Sequence, residues 1–334
     1  MKVIILAGGS GSRLWPLSND ENPKQLLAID DKFSLLQNTF LRAMDFADAA
    51  DIVTVTNYKY RDCTFSQLAE LSSECRVLAE PCARNTAPAI ACALEVLARE
   101  NGDDIVAVLP ADHLIRRNHD FKQTIEKAAK LAEKDFIVTL GIKPLYPETG
   151  FGYIKTREPA ADGLKVEKFV EKPELALAEK YVESGDYYWN GGIFVGKISV
   201  FLQEFADFAP DIKVLTEKCS FENDEFDAEI FAQMPKISID YAIMEKSARI
   251  ALVELLSDWS DLGSWQAIYD LKDKDENGNV IIGKAVLHNV KNSLIYSPER
   301  VAAAADVENV VLVNANGITM ICDLTKTQNV KNLQ

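Results

Sequence analysis

The sequence predicts an α/β protein with a doubly wound, mostly parallel sheet and a small C-terminal β domain. Three observations support this. Short apolar runs alternate with amphipathic segments up to about residue 142, a glycine-rich turn follows the first apolar run, and short alternating strands recur after a polar stretch at 272–279. Strand and helix in alternation produce parallel sheets, whose ligands bind beyond the carboxyl ends of the strands. We therefore expect one large domain at 1–270 and a β domain at 276–334.

The individual elements follow from periodicity. The apolar run at residues 3–6 predicts a buried first strand. Further strands are predicted at 51–56, 76–79, 105–109 and 136–142, and helices at 33–47, 58–71, 87–100 and 119–134. After the polar stretch, short strands are predicted at 280–282, 285–287, 293–296, 310–313 and 318–321.

Composition excludes several classes of protein. The formal net charge of −15 argues against nucleic-acid binding through a general basic surface. The chain enters its first strand without a signal-peptide pattern, and no apolar run approaches membrane-spanning length. Six cysteines are scattered without a C-x-x-C pair, and three histidines make a histidine-rich zinc site unexpected. We expect a cytoplasmic protein with reduced thiols and no nucleic-acid or membrane partner.

The turn after the first strand has the chemistry of an anion site. Its glycines let backbone N–H groups approach a phosphate closely. Arg13 adds a guanidinium fork and Lys24 a point charge. The dinucleotide fingerprint would need glycine in place of Leu14, and the Gly-Lys-Ser/Thr of a P-loop is absent from the sequence. A glycine turn without a ligand remains the alternative on these residues alone.

Two aspartates are candidates for metal binding. Asp112 directly follows the strand at 105–109, and Asp261 precedes a leucine-glycine turn. Each is also a candidate for a helix cap or a turn residue. Mg²⁺ takes one or two carboxylates and completes its shell with phosphates and water. An acidic chain with an anionic substrate would need such a cation.

The loop at 80–88 falls on the ligand-binding edge of the predicted sheet. Other distinctive segments lie at 144–154, 165–173, 187–196 and 235–246. Each also has a purely structural interpretation. Thr86 would cap the following helix, and Gly150 would permit a bulge before a hairpin. Asn190 would adopt a left-handed conformation in a tight turn, and Asp240 or its neighbour Ser238 would cap a helix.

Taken together, these segments resemble a known family. Leu14-Trp15-Pro16-Leu17-Ser18 and Pro23-Lys24-Gln25, with the preceding glycine loop, resemble the mannose-1-phosphate guanylyltransferase branch of the sugar-phosphate nucleotidylyltransferases. The resemblance extends over nearly the whole chain. It implies the nucleotide-diphospho-sugar transferase type of fold with a left-handed β-helix-like C-terminal domain. It also implies a homodimer, and we expect the isomerase domain of longer relatives to be absent.

The implied reaction is attack by mannose 1-phosphate on the α-phosphorus of GTP, giving GDP-mannose and pyrophosphate with Mg²⁺. The implied catalytic residues are Arg13, Lys24, Asp112 and Asp261, of which Asp112 and Asp261 hold the metal. The implied nucleotide-binding residues are Leu6, Ala7, Gly8, Gly9, Ser10, Gly11, Ser12, Arg13, Lys24, Glu80, Arg84, Asn85, Thr86 and Asp112. The implied sugar-phosphate-binding residues are Gly150, Tyr153, Glu171, Lys172 and Asn190.

Two alternatives remain open. Kinship does not determine specificity, so the same reaction with another sugar 1-phosphate or nucleoside triphosphate is one of them. The other is a non-catalytic regulatory subunit that binds a nucleotide sugar. The presence of both aspartates argues against this second alternative, because a binding module does not need two metal-ligating acids.

Residues 303–306 also lack the glycine expected there from the family.

Overall fold

The computed structural model describes residues 1–9, 11–29, 32–160 and 163–333. Its strands are β1 Lys2–Ala7, β2 Ile52–Asn57, β3 Arg76–Glu80, β4 Ile105–Pro110, β5 Leu114–Ile115, β6 Ile137–Ile142, β7 Gly152–Ala160, β8 Gly163–Glu171, β9 Tyr187–Lys197, β10 Phe221–Glu222, β11 Glu225–Phe226, β12 Ile250–Glu254, β13 Trp259–Ser260, β14 Val280–Lys291, β15 Leu294–Glu308, β16 Val310–Ala315 and β17 Ile318–Asp323. Its α-helices are α1 Leu35–Met44, α2 Arg61–Ala69, α3 Thr86–Asn101, α4 Asn118–Ala132, α5 Leu175–Ser184, α6 Ile198–Phe208, α7 Pro210–Lys218, α8 Ala228–Phe231 and α9 Trp265–Leu271. A π-helix spans Asp240–Met244, and 3-10 helices include Ser12–Leu14, Lys24–Leu26 and Leu324–Leu333.

The chain divides into two compact units. The first contains Met1–Gly8, Leu36–Ala111 and Ile115–Trp259. The second contains Gly9–Leu35, Asp112–Leu114 and the chain from Ser260 onward. Each unit is therefore assembled from segments that are distant in sequence. The domain bounds predicted at 1–270 and 276–334 stay a prediction.

The first unit is built on a mixed sheet. Among the described residues it has eleven strands, in the order β10-β11-β3-β2-β1-β4-β9-β6-β12-β8-β7. The run β3-β2-β1-β4 is parallel, and β9 lies antiparallel between β4 and β6. The predicted α/β class with a mostly parallel, doubly wound core is confirmed, and every strand and helix predicted up to residue 142 is present.

Burial explains why β1 is central. Val3, Ile4 and Ile5 have no exposed surface, as expected for a parallel strand covered on both faces. Ile4 belongs to the main apolar cluster together with α3 residues such as Ile90 and Leu94. Because β1 pairs with both β2 and β4, its carboxyl end at Ala7 lies in the middle of the sheet edge. Ligands of parallel sheets bind at this edge.

The second unit carries a sheet of its own, in the order β14-β15-β16-β17. The first three strands are parallel, in agreement with the predicted β-helix-like domain, and β17 returns antiparallel to β16. Leu14 and Trp265 share one apolar cluster with strand residues such as Val311 and Val313. The N-terminal loop of this unit and its C-terminal sheet therefore form one core.

The stretch that departed from the expected glycine pattern has a local explanation. Asp306 adopts φ 54° and Asn289 φ 49°, so these residues supply the left-handed conformation that glycine would otherwise provide. The Asn289 amide also donates to the Asp306 carboxylate at 2.8 Å.

In the described part of the chain, no helix combines the length and apolar character that crossing a membrane requires.

Candidate active site

The loop after β1 leaves its main chain open to solvent. Gly8 and Gly9 are exposed, and a Cβ on either would have no heavy atom within 4 Å. Gly9 has φ 98°, which L residues rarely adopt. Ser10 lies outside the described residues. Leu6 and Ala7 are the last two residues of β1, and the Ala7 carbonyl accepts the Thr56 hydroxyl at 2.9 Å.

Gly11 has a different task from the one predicted for the loop as a whole. A Cβ on Gly11 would lie 2.3 Å from the Lys24 Cβ, and its φ is 64°. The Gly11 carbonyl accepts the Ser18 hydroxyl. Glycine is therefore required at this position so that the loop can pack directly against Lys24.

Lys24 is the centre of the charged group in the second unit. It begins a short 3-10 helix and is only 6% exposed. Its ammonium donates to Asp112 Oδ2 at 2.7 Å and to the main-chain carbonyl of Asp261. Asp112 and Asp261 are far apart in the chain, yet both contact the same ammonium. The orientation of Lys24 is therefore held from two sides.

The two aspartates are held differently. Burial acts to raise the pKa of Asp112, but the Lys24 ammonium and then His113 outweigh it and lower that pKa below its usual value. Asp112 is therefore ionised at neutral pH. The Asp261 carboxylate accepts the Gly263 N–H at 2.9 Å, and a Cβ on Gly263 would lie 2.5 Å from Asp261 Oδ2.

The donor set of these aspartates fits a hard divalent cation. Within residues 1–9, 11–29, 32–160 and 163–333, no three His, Cys, Asp or Glu side chains form a metal-binding group. Two carboxylates are sufficient for Mg²⁺ when phosphates and water complete the shell. Asp258, the other acid of this segment, instead pairs with Arg117 at 3.2 Å in the first unit.

Arg13 lies in the short helix that follows the glycine loop. Its guanidinium donates to the Gln328 side chain at 3.3 Å. Gln328 belongs to the C-terminal 3-10 helix, so the end of the chain orients the arginine. The sequence offered no signal for this partner, because the two residues lie at opposite ends of the chain.

The segment after β3 carries a buried acid. Glu80 is 7% exposed, and its Oε1 has no hydrogen-bond partner in the described part of the chain. Burial raises the pKa of Glu80 to about 7. Arg84 donates to the Ala232 carbonyl.

The predicted cap of α3 is wrong by one residue. Asn85, with φ 66°, is the N-cap, and its side chain accepts the Thr86 N–H. Thr86 is instead the first helical residue, and its hydroxyl accepts the Ile239 N–H at 2.9 Å. Asn85 has the positive φ that this turn requires, and asparagine adopts positive φ more readily than a β-branched residue does.

The predicted sugar segments meet where β7, β8 and β9 lie together. Gly152 pairs with Glu171 across β7 and β8, and a Cβ on Gly152 would lie 2.6 Å from Glu171 Oε2. The Lys172 ammonium donates to Glu171 Oε1 at 2.6 Å. Tyr153 is fully buried, and its hydroxyl accepts the Glu148 N–H at 2.9 Å.

Two structural expectations in these segments are wrong. The register shifts of β7 lie between Lys155 and Pro159, not at Gly150, whose N–H is bonded to the Glu148 side chain. Asn190 is not left-handed either. It lies within β9, and Gly192 has the positive φ, at 63°. The pairing of β6 with β9 shifts register here, and such irregularities re-aim side chains.

Comparisons with known proteins show the family of the chain. The family model described as nucleotidyl transferase matches residues 2–278. The chain belongs to the nucleotidyl transferase family. A protein of Vibrio cholerae named putative mannose-1-phosphate guanylyltransferase is 39% identical over 339 residues, which cover 99% of this chain and 73% of that protein. A Klebsiella pneumoniae protein named mannose-1-phosphate guanylyltransferase is 39% identical over 342 residues, which cover 98% of this chain and 72% of that protein.

A solved structure extends the match to the whole fold. The crystal structure of a Thermus thermophilus protein described as a mannose-1-phosphate geranyltransferase superimposes with a TM-score of 0.91 at 28% identity. The superposition covers 99% of this chain and 97% of that one. This nucleotidyl transferase therefore has the fold type that the resemblance implied, including its C-terminal strands.

One residue of this nucleotidyl transferase escaped the sequence analysis. Asp240 was predicted only as one of two candidate helix caps in a segment that matches the family, and its carboxylate accepts a hydrogen bond from the Asn190 amide at 2.8 Å. Burial, followed by the charge of Glu171, raises the pKa of Asp240 to about 6. No local pattern could have found it, because both partners come from strands distant in sequence.

Proposed function

We propose that this protein transfers GMP from GTP to mannose 1-phosphate, giving GDP-mannose and pyrophosphate. The main support in the structure is the Lys24 ammonium, held between Asp112 and the Asp261 carbonyl beside the Gly11 backbone. The names of relatives that are 39% identical over nearly the whole chain support the choice of sugar and nucleotide.

The proposed chemistry is an in-line displacement. A phosphate oxygen of mannose 1-phosphate forms a bond to the α-phosphorus of GTP, and the bond between that phosphorus and the β-phosphate oxygen breaks. The attacking oxygen is already ionised at neutral pH, so no general base is needed. Positioning and charge neutralisation carry most of the catalysis in such transfers.

One group of residues would bind the phosphates. Arg13 and the amides from Gly9 to Ser12 would hold the triphosphate, and Lys24 would stabilise charge near the α-phosphate. Because the Lys24 ammonium is oriented before substrate arrives, little reorganisation is needed during the reaction. Asp112 and Asp261 would hold Mg²⁺, which supplies charge neutralisation between the two phosphates when bound.

Other residues would bind the base and the sugar. Glu80 has an unpaired carboxylate oxygen and would accept N–H groups of the purine together with the polar residues at 84–86. Glu171 and Asn190 would bind sugar hydroxyls, Lys172 would lie near the sugar phosphate, and Gly150 and Tyr153 would shape the adjoining loop. All six cysteines are free thiols, which supports a cytoplasmic location. The homodimer and the absence of a nucleic-acid partner stay predictions.

A matrix of substrates tests the proposal. Pyrophosphate release is measured for GTP, ATP, UTP and dTTP, each with the 1-phosphates of mannose, glucose and galactose. We expect GTP with mannose 1-phosphate to give the highest kcat/KM, and the Asp112→Asn variant to serve as the inactive control. A clear preference for another pair would replace the proposed substrates. Absence of turnover with every pair would favour the regulatory subunit instead.

A further inference from the structure

The π-helix at Asp240–Met244 places a carboxylate beside the residues proposed to bind the sugar. Ala242, Ile243 and Met244 are at most 1% exposed and anchor this helix in the main core. Asp240, at its first position, is left on the side of Asn190 and Glu171. π-Helices are rare, and they occur frequently at functional sites.

Asn190 uses most of its hydrogen-bonding capacity within the protein. Its carbonyl oxygen accepts the Thr139 hydroxyl and the Gly192 N–H, each at 3.1 Å. Its amide nitrogen donates to Asp240 Oδ1 at 2.8 Å. Within the described part of the chain, the second N–H of the Asn190 amide therefore has no partner and is available to a ligand. The hydrogen bond from Asn190 also holds the Asp240 carboxylate in place.

The end of β8 is tied to the same helix. The Glu171 N–H donates to Glu245 Oε1 at 3.0 Å, one residue beyond the π-helix. The Glu171 side chain is 8% exposed, and its Oε1 accepts the Lys172 ammonium. Its Oε2 lies against Gly152, where any side chain would displace it. The same Cβ position on Gly152 lies 3.2 Å from the Asn190 Cβ. Glu171 Oε2 and Asn190 therefore face the same point of β7, and Asn190 bonds directly to Asp240.

Two neighbouring buried carboxylates are unfavourable without hydrogen-bond donors, because each charge loses hydration and repels the other. The raised pKa of Asp240, caused by burial and then by Glu171, is consistent with such a pair. The Asn190 amide and the Lys172 ammonium each already donate to one of these carboxylates. Neighbouring hydroxyls of a hexose would add a further donor to each.

We infer that Asp240 is a specificity residue of the sugar site, where its carboxylate and that of Glu171 accept hydrogen bonds from different hydroxyls of one hexose 1-phosphate. This inference rests on the proposed function. Asp240 would thereby contribute to sugar recognition both directly and by holding Asn190. It has no part in the transfer of the nucleotidyl group.

Kinetics of Asp240→Ala and Asp240→Asn with the full-length protein test the inference. With mannose 1-phosphate, we expect Asp240→Ala to raise the sugar KM on the order of 10- to 100-fold, the loss typical of one hydrogen bond to a charged group. The KM for GTP should change by less than about twofold. Asp240→Asn keeps an acceptor for Asn190 and should lose less. Asp227→Asn is the matched control, because Asp227 caps α8 through the Ile230 N–H and should leave both KM values unchanged.

Monodeoxy analogues of mannose 1-phosphate separate recognition from a structural role. If Asp240 binds one hydroxyl, the analogue lacking that hydroxyl should lose kcat/KM with wild-type protein and lose little more with Asp240→Ala. An equal loss for every analogue, or a loss shared with GTP, would overturn the inference while leaving the proposed function intact. If wild-type protein neither turns over nor binds a hexose 1-phosphate by calorimetry, both proposals fail.

Discussion

At the scale of single residues, the main feature of the candidate active site is a buried lysine whose charge already has partners within the protein. Lys24 is nearly buried, and a buried ammonium is costly unless acceptors surround it. Asp112 and the Asp261 carbonyl supply those acceptors. Against the effect of burial, the Lys24 ammonium also lowers the pKa of Asp112. Under the proposed function, this one ion pair would supply both a cation for the phosphates and an anion for the metal.

Asp112→Asn tests this ion pair. We expect a folded protein, by circular dichroism, whose turnover falls on the order of 10²-fold or more, because an electrostatic contact in the transition state is lost. The matched control is Asp258→Asn, which removes an exposed acid of the first unit and should retain near-normal turnover. Near-normal Mg²⁺-dependent activity in Asp112→Asn would remove Asp112 from the mechanism.

Glu80 makes a prediction about stability and pH. Its pKa rises from the usual 4.5 to about 7 in the folded protein, so the folded state binds a proton that the unfolded state releases between these values. Wild-type stability therefore falls as pH rises through this window. Glu80→Gln removes this effect, so its free energy of unfolding should increase relative to that of wild type as the pH rises from 4.5 to 7. The difference should reach at most about 3 kcal/mol.

Thermal unfolding of both proteins at pH 5 and pH 8, without nucleotide, measures this difference. A gain in melting temperature that is the same at both pH values would contradict the assignment, since it would arise from packing and not from the Glu80 charge.

At the scale of elements, the glycine loop and the 3-10 helix at Lys24–Leu26 form one unit of structure. The loop approaches the helix so closely that Gly11 has no room for a side chain. The loop begins where β1 ends, between β2 and β4. Gly11 then packs against Lys24. The glycines of the loop therefore have two functions: Gly8 and Gly9 leave the main chain accessible, and Gly11 allows close packing against the backbone and Cβ of Lys24.

Gly11→Ala and Gly8→Ala separate these functions. Gly11→Ala should destabilise the protein by about 1–3 kcal/mol through overpacking and a strained φ. Gly8→Ala should change stability by no more than about 0.5 kcal/mol, because a Cβ there meets no neighbour. Melting temperatures of the two variants provide the comparison. Equal losses would show that the contact with Lys24 does not determine the requirement for glycine.

At the scale of the whole molecule, the chain closes on itself within the second unit. Leu14, from the N-terminal loop, is 1% exposed and packs in the cluster that contains residues of β16 and β17. Trp265 donates its indole N–H to the Trp15 carbonyl at 3.0 Å, and Asn316 donates to the Pro16 carbonyl at 2.8 Å. The geometry of the segment after the glycine loop therefore depends on strands near the C-terminus.

Leu14→Ala tests this dependence. Deleting a buried leucine side chain costs about 2–5 kcal/mol. Hydrogen exchange should accelerate in β16, about three hundred residues away in sequence, because both belong to one cluster. Exchange in β6 of the first unit should change little. Acceleration confined to the residues next to position 14 would contradict a shared core.

Local physics made much of this protein predictable from its sequence. Strand and helix periods depend on neighbouring residues, so the alternation up to residue 142 was recovered. In the C-terminal region, the strands predicted at 280–282 and 285–287 are one strand, β14, and the strand predicted at 293–296 extends to Glu308 as β15. The glycine loop was recognisable because few residues other than glycine reach positive φ. Asp112 was recognisable because a polar residue directly after a buried strand lies at the ligand-binding edge.

Tertiary structure decided the features that join distant segments. The contact of Lys24 with both aspartates, the packing of Gly11 against Lys24 and the pairing of Arg13 with Gln328 have no local signature. The position of Asp240 depends on a π-helix and a shifted strand register, which conform to no simple period. The sequence determines the chemical type of each side chain. Packing between helices and strands determines which side chains come into contact.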